Sequence, residues 1–208
     1  MVLLLDFEDR TFDDVSVYEH TVTANGTDVT IVRGGMLGSY SAYLDSSTIL
    51  NNYLWVKPKQ LQGSDTSTTL ELDGDFTIEA WVHFVEDSAH DTYSEYQDII
   101  ASQHYSCFSG ESGSFVLRRV PKGNVEVRIY DFVSSSCSAV VDTPDDAVEG
   151  QYLDYGVWHH VAFVRNGTAS AQGTDNCFVY VNGSQWLSFS YVSRSPIVPN
   201  GSDSVIGC

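Results

Sequence analysis

The stretch Phe76-Thr77-Ile78-Glu79-Ala80-Trp81-Val82-His83-Phe84-Val85 decides how the chain folds. Successive side chains of a strand point to opposite faces. Ile78, Ala80, Val82 and Phe84 therefore share one face, and Glu79, Trp81 and His83 the other. The apolar face needs a core to pack on. A tryptophan on the second face predicts a central strand with contacts on both sides.

Working outward from this strand, the same alternation recurs between turn residues. Val2–Phe7 reads as a first buried strand, and Thr21–Ala24 runs into the turn Asn25-Gly26. Asp28–Arg33 stops at Gly34-Gly35, and Ser41–Leu44 and Tyr53–Val56 follow. Glu86–Gln97 is acidic and rich in tyrosine, and reads as a long loop. Beyond it, Asp98–Ser102, Ser114–Val120 and Val125–Phe132 predict a three-strand meander, its second turn at Pro121–Asn124. Trp158–Arg165, Cys177–Val181, Trp186–Tyr191 and Ser204–Gly207 complete the series. No stretch sustains a helical period. Many short strands separated by turns predict an all-β fold, a two-sheet antiparallel sandwich.

The chain has 208 residues, 42% of them hydrophobic and 18% charged, which suits one large β domain and not a disordered chain. Its 28 Asp and Glu outnumber 10 Lys and Arg, for a net charge of −18. Such a surface repels phosphate backbones and anionic headgroups, so neither nucleic acid nor membrane insertion is expected. The opening Met1–Leu5 is apolar but meets Asp6 at once, too short for a signal peptide or a membrane helix.

Four cysteines, Cys107, Cys137, Cys177 and Cys208, match no zinc-ligand spacing. Cys107 follows the first strand of the meander and Cys137 the third. These two strands run the same way, so both thiols emerge at one sheet edge. A Cys107–Cys137 disulfide is expected in an oxidising compartment. Asn25, Asn166, Asn182 and Asn200 each begin an Asn-Gly-Ser/Thr sequon. Glycosylation and plain hairpin-turn chemistry both explain that pattern.

Three motifs resemble the laminin-G-like and pentraxin-like jelly rolls of the concanavalin A-like group. They are Leu72–Val82, then Trp158-His159-His160-Val161-Ala162-Phe163-Val164-Arg165-Asn166-Gly167, then Phe178-Val179-Tyr180-Val181-Asn182-Gly183. Asn182 stands where the family often carries Asp. The opening Leu3–Asp9, with Phe12-Asp13-Asp14 and His20–Thr23, is similar to predicted phage structural proteins of this group. The resemblance implies a concanavalin A-like jelly roll over residues 1–208, without the family's usual final C-terminal strand. That strand normally pairs beside the first one, so Val2–Phe7 is expected to be covered by a continuation of the chain or by a neighbouring subunit.

Within this fold Trp81 and Trp158 are expected to fill the space between the sheets. His159 and His160 alternate, so one faces the core as a neutral histidine donating to a backbone carbonyl. Glycoside hydrolysis needs two facing carboxylates, and no strand presents them. Glu126 shares its face with Arg128, and Glu79 has Trp81 and His83 beside it. A non-enzymatic protein is the expectation. Calcium is the expected cofactor if any, held by acidic loops, with Asp6, Asp13 and Asp14 the favoured ligands. Tyr93, Tyr96, Tyr105 and Trp186 are candidate sugar-binding aromatics. Together these point to a recognition or adhesion module on a virion or extracellular surface. Its partner is a surface glycan or a neighbouring structural protein, within an oligomer or larger assembly. The alternative is a structural decoration or filament subunit that contacts only its neighbours.

Overall fold

The alternating segments become strands in the computed structural model, which describes residues 5–16, 19–44, 52–57, 74–86, 96–102, 114–121, 123–133, 136–142, 151–167, 175–191 and 204–206. Among these residues there are thirteen strands and no helix. They are β1 (Thr21–Asn25), β2 (Val29–Arg33), β3 (Tyr40–Leu44), β4 (Tyr53–Lys57), β5 (Phe76–His83), β6 (Gln97–Ser102) and β7 (Ser114–Arg119). Next come β8 (Val125–Val133), β9 (Ser136–Asp142), β10 (Trp158–Arg165), β11 (Cys177–Val181), β12 (Ser184–Phe189) and β13 (Ser204–Ile206). One sheet has the order β1-β4-β13-β6-β7-β8-β9 and a second β12-β11-β10-β5, with a separate β2-β3 hairpin. Every strand pairing is antiparallel.

The apolar faces of the two larger sheets meet in one core. From the seven-stranded sheet come Ile99, Phe115, Leu117, Val125, Val127 and Ile129; the four-stranded sheet brings Val161, Phe163, Cys177, Val179 and Val181. Phe163 is fully buried and holds the centre. Its ring meets Phe76 edge-on at 5.3 Å, Phe189 at 6.1 Å and, across the sandwich, Phe115 at 6.3 Å. These separations suit aromatic contact and bury large apolar areas.

Strand β5 pairs with β10 over eight residues, from Trp158↔His83 to Arg165↔Phe76. Its face with Phe76, Ile78, Ala80 and Val82 packs on the core, as the alternation requires. Its other face does not enter the sandwich. Trp81 and Trp158 lie there, half-buried, because they share their parity with Glu79, His83 and His160. The expectation that these two tryptophans fill the inter-sheet space is therefore corrected. The strand residues of opposite parity already occupy that space.

Two further expectations change. Phe7 adopts a φ of 59°, and Leu5–Phe7 belongs to no strand. Residues 1–4 lie outside the described residues, and with them the rest of the expected first strand. The polar stretch after β8 contains β9, hairpinned onto β8 in the register Phe132↔Cys137. Cys137 thus opens a fourth strand of the meander; Cys107 lies outside the described residues. In the rest of the meander β6, β7 and β8 are neighbours, as expected.

Two arginines occupy the inner face of the sandwich. Arg119 is fully provided for: Nε donates to the Leu153 carbonyl at 3.0 Å, and Nη1 to Tyr155 Oη at 2.9 Å and Gln97 Oε1 at 3.2 Å. Its guanidinium also lies 4.2 Å from the Tyr155 ring centroid. Arg165 is equally buried, at 3% exposure, but its Nε and Nη1 have no hydrogen-bond acceptor among the described residues. Among the described residues the Tyr191 ring faces its guanidinium, at 5.4 Å. Buried guanidinium nitrogens left without acceptors oppose folding. Arg165→Met keeps the aliphatic volume and removes the charge, so it should stabilise the chain by about 1–3 kcal/mol. Urea denaturation of the two proteins checks this; a loss of stability would mean that Arg165 is paired.

Candidate functional site

The outward face of the four-stranded sheet carries a row of aromatic and hydrogen-bonding side chains that the fold brings together among the described residues. Cross-strand register sets its layout. His83 faces Trp158, Trp81 faces His160, and Glu79 faces Ala162, which in turn faces Tyr180. The next positions are Thr77, Val164 and Phe178, with Gln185 and Ser188 on β12. The rings associate in pairs: Trp81 with His160 at 5.1 Å, His83 with Trp158 at 5.3 Å, and Phe178 with Tyr180 at 6.4 Å. Trp81, Trp158, His160, Phe178 and Tyr180 are half-exposed, whereas Glu79 and His83 are open to solvent.

Polar groups are set within this aromatic field. His160 Nε2 lies 3.4 Å from a Glu79 carboxylate oxygen. Ala162, between Glu79 and Tyr180 in the register, is buried and contributes only a methyl group to this row. At the margin, the Asp175 carboxylate accepts from Ser188 Oγ at 2.5 Å and Ser190 Oγ at 3.3 Å.

Beneath the platform, the histidine pair divides its roles as the alternation requires. His159 is 5% exposed and its Nε2 donates to the Asp154 carbonyl at 3.2 Å. Its Nδ1 accepts from the Asn182 side-chain amide at 3.3 Å, which fits the neutral Nε2–H tautomer. Asn182 Oδ1 accepts the His160 backbone N–H at 2.9 Å, and the Asn182 N–H donates to the His160 carbonyl at 2.9 Å. Asn182 and Gly183 both have positive φ, 51° and 80°, as a tight two-residue hairpin turn demands. The asparagine amide therefore ties the β11–β12 turn to the platform strand β10. This is the turn chemistry anticipated for Asn182-Gly183.

The other sequence candidates are dispersed. Tyr93, Tyr105 and Asn200 lie outside the described residues. Tyr96 is exposed beside the seven-stranded sheet, with the Arg118 guanidinium 3.9 Å from its ring centroid. Trp186 is half-buried and packs on the core from the second sheet. Tyr96, just before β6, and Trp186, on β12, thus lie at different sheets. Asn25 ends β1 half-exposed, and Asn166 is exposed just after β10.

The early acidic residues do not converge. Asp14 is buried, and its carboxylate accepts from Ser16 N at 2.9 Å, Ser16 Oγ at 2.8 Å and His20 N at 2.9 Å. Glu8 caps the β2–β3 hairpin instead, accepting from the backbone of Ser39 at 2.8 Å and Tyr40 at 3.2 Å. Asp6 and Asp13 are exposed, Asp6 accepting the Glu8 N–H at 3.2 Å. Among the described residues no three His, Cys, Asp or Glu gather as a metal site.

Glu126 is wholly buried on the face of the seven-stranded sheet that turns away from the core. One carboxylate oxygen accepts from Arg118 Nε and the other from Arg128 Nε, the latter at 2.7 Å. Burial raises its carboxyl above the ordinary range, against the pull of the two guanidiniums. With both oxygens engaged, Glu126 is a structural anion.

The platform was missed by sequence reasoning that searched loops for sugar-binding aromatics. Its signal was the second parity of β5 and β10, where Trp81, His83, Trp158 and His160 stand two residues apart.

Comparison with known proteins now places the fold. A laminin-G-type family model, described as "Concanavalin A-like lectin/glucanases superfamily", matches residues 60–208, and the chain belongs to that family. Solved structures similar to it include the botulinum neurotoxin serotype G binding domain, with a TM-score of 0.64 and 16% identity over 100% of this chain. The serotype D binding domain is also similar, with a TM-score of 0.63 and 15% identity over 99%. So is a structure titled "Cell entry of botulinum neurotoxin type C is dependent upon interaction with two ganglioside molecules", at 0.60 and 15% over 99%. The chain spans 43%, 42% and 42% of those three chains, respectively. No curated protein sequence matches it.

Two measurements test these assignments. Phe163→Ala should cost about 3–5 kcal/mol, as for other large aromatic deletions in a core. Trp81→Ala, on the solvent side of the same sheet, should cost about 1–2 kcal/mol. Chemical denaturation of both variants gives the comparison, and equal losses would contradict the two-faced assignment. Burial also pushes the Cys177 thiol up to about 11. The folded state thus holds its proton more tightly than the unfolded state, so this contribution to stability is lost as pH rises toward that value. At neutral pH Cys177 should resist alkylation in the native protein and react only on unfolding, as mass spectrometry of the Cys177 peptide would show.

Proposed function

We propose that this chain is a non-enzymatic glycan-binding module that receives a saccharide on the outward face of β5, β10 and β11. The carrying observation is the platform itself: Trp81, Trp158 and Tyr180 with Glu79, His83 and His160 on one rigid, solvent-facing sheet. A pyranose presents an apolar C–H face that lies on aromatic rings and a rim of hydroxyls that need hydrogen bonds. A few polar groups placed among aromatic side chains meet both needs. Membership of a lectin and glucanase superfamily supports the reading. So do the titles of similar structures, which name interaction with two ganglioside molecules and a complex with SialylT.

A binding role is favoured over hydrolysis by the state of the carboxylates. Glu126 is clamped by two arginines, and Glu79 has a histidine and a tryptophan as strand neighbours, with no second carboxylate across from it. Paired acid and base groups are what glycoside cleavage needs. Display on a virion or extracellular surface belongs to the same proposal, supported by the likeness of the opening residues to phage structural proteins.

A glycan array read with the purified chain is the test. Specific binding that Trp81→Ala or His160→Ala weakens tenfold or more, about 1.4 kcal/mol, is the expected result. Silence across the array, combined with ordered self-assembly, would instead favour a structural building block.

A further inference from the structure

Charge on the platform narrows its ligand. We propose that the face selects uncharged saccharides and rejects sialylated or otherwise anionic ones; this rests on the platform being the ligand site. Sites for carboxylate-bearing sugars need a cation, most often the bidentate guanidinium of arginine. Among the described outward residues of β5, β10, β11 and β12 there is no lysine or arginine. The fixed charge at the centre is Glu79, whose side chain is 59% exposed, and a second carboxylate, Asp175, accepts from Ser188 of β12 at the margin.

Four described arginines are engaged elsewhere. Arg118, Arg119 and Arg165 are 5%, 3% and 3% exposed, inside or behind the sheets. Arg128 serves Glu126 on the other sheet. The net charge of −18 adds a general repulsion of anions by the chain. A saccharide carboxylate approaching this face would meet Glu79, with no lysine or arginine among the described outward residues to offset it. A neutral hydroxyl there would donate to the same oxygen. The arrangement that repels an anion is thus the one that recognises an uncharged sugar.

The test uses matched glycan pairs, N-acetyllactosamine and related oligosaccharides with and without terminal sialic acid, titrated against the full chain in mildly alkaline buffer. The neutral member should bind about tenfold tighter or better at low ionic strength. Added salt should shrink that ratio, because screening weakens the repulsion. Glu79→Gln should shrink it as well, raising the relative affinity for the sialylated member. Equal or tighter binding of the sialylated member, lost in Trp81→Ala, would overturn the charge selection while leaving the platform in place. Binding indifferent to Trp81→Ala, or none to any pair, would overturn the platform and this inference with it.

Discussion

The eight-residue register between β5 and β10 is the constraint on which the rest depends. It sets Ile78 beside Phe163 and Ala80 beside Val161 facing inward, and Trp81 beside His160 facing out. Because side chains alternate, a slip of one residue would turn Phe163 to solvent and drive charged and polar groups into the core. The core contact of Phe163 with Phe115 across the sandwich and with Phe76 and Phe189 on its own sheet therefore locks both faces at once. The outward aromatic pairs are positioned by packing that they do not themselves supply.

Much of the architecture was legible in the sequence because alternation is local. Twelve strands of the final fold match segments readable from turn residues and parity, with ends differing by a few residues. β9 was not legible: Ser136-Cys137-Ser138-Ala139 lacks strong strand formers, and pairing with β8 imposes its conformation. The opening Leu3–Phe7 looked like a strand on apolar content alone, yet Phe7 takes a left-handed φ that ends any such run.

The site was less legible than the fold. Trp81 and Trp158 are large and apolar, and size argues for the interior. Parity argues against it, and parity wins because the inner positions are already filled. Neither the Trp81–His160 pairing nor the Asn182 anchor can be read from one strand, since each joins residues on two. The acidic run near the start shows the converse. Glu8 and Asp14 are neighbours in sequence and in charge, but the backbone donors that each one satisfies lie in different places.

Placing the proposed recognition surface on strands, with its rings backed by a separate core, has a consequence for variation. Positions 79, 81, 83, 158, 160 and 180 can change identity without altering the packing that sets their spacing. The face behaves as a fixed grid whose occupants are interchangeable while the frame is inherited unchanged. Lineages sharing this frame can diverge in taste by exchanging a few outward side chains, and a combinatorial library confined to those positions would explore new specificities at little risk to folding.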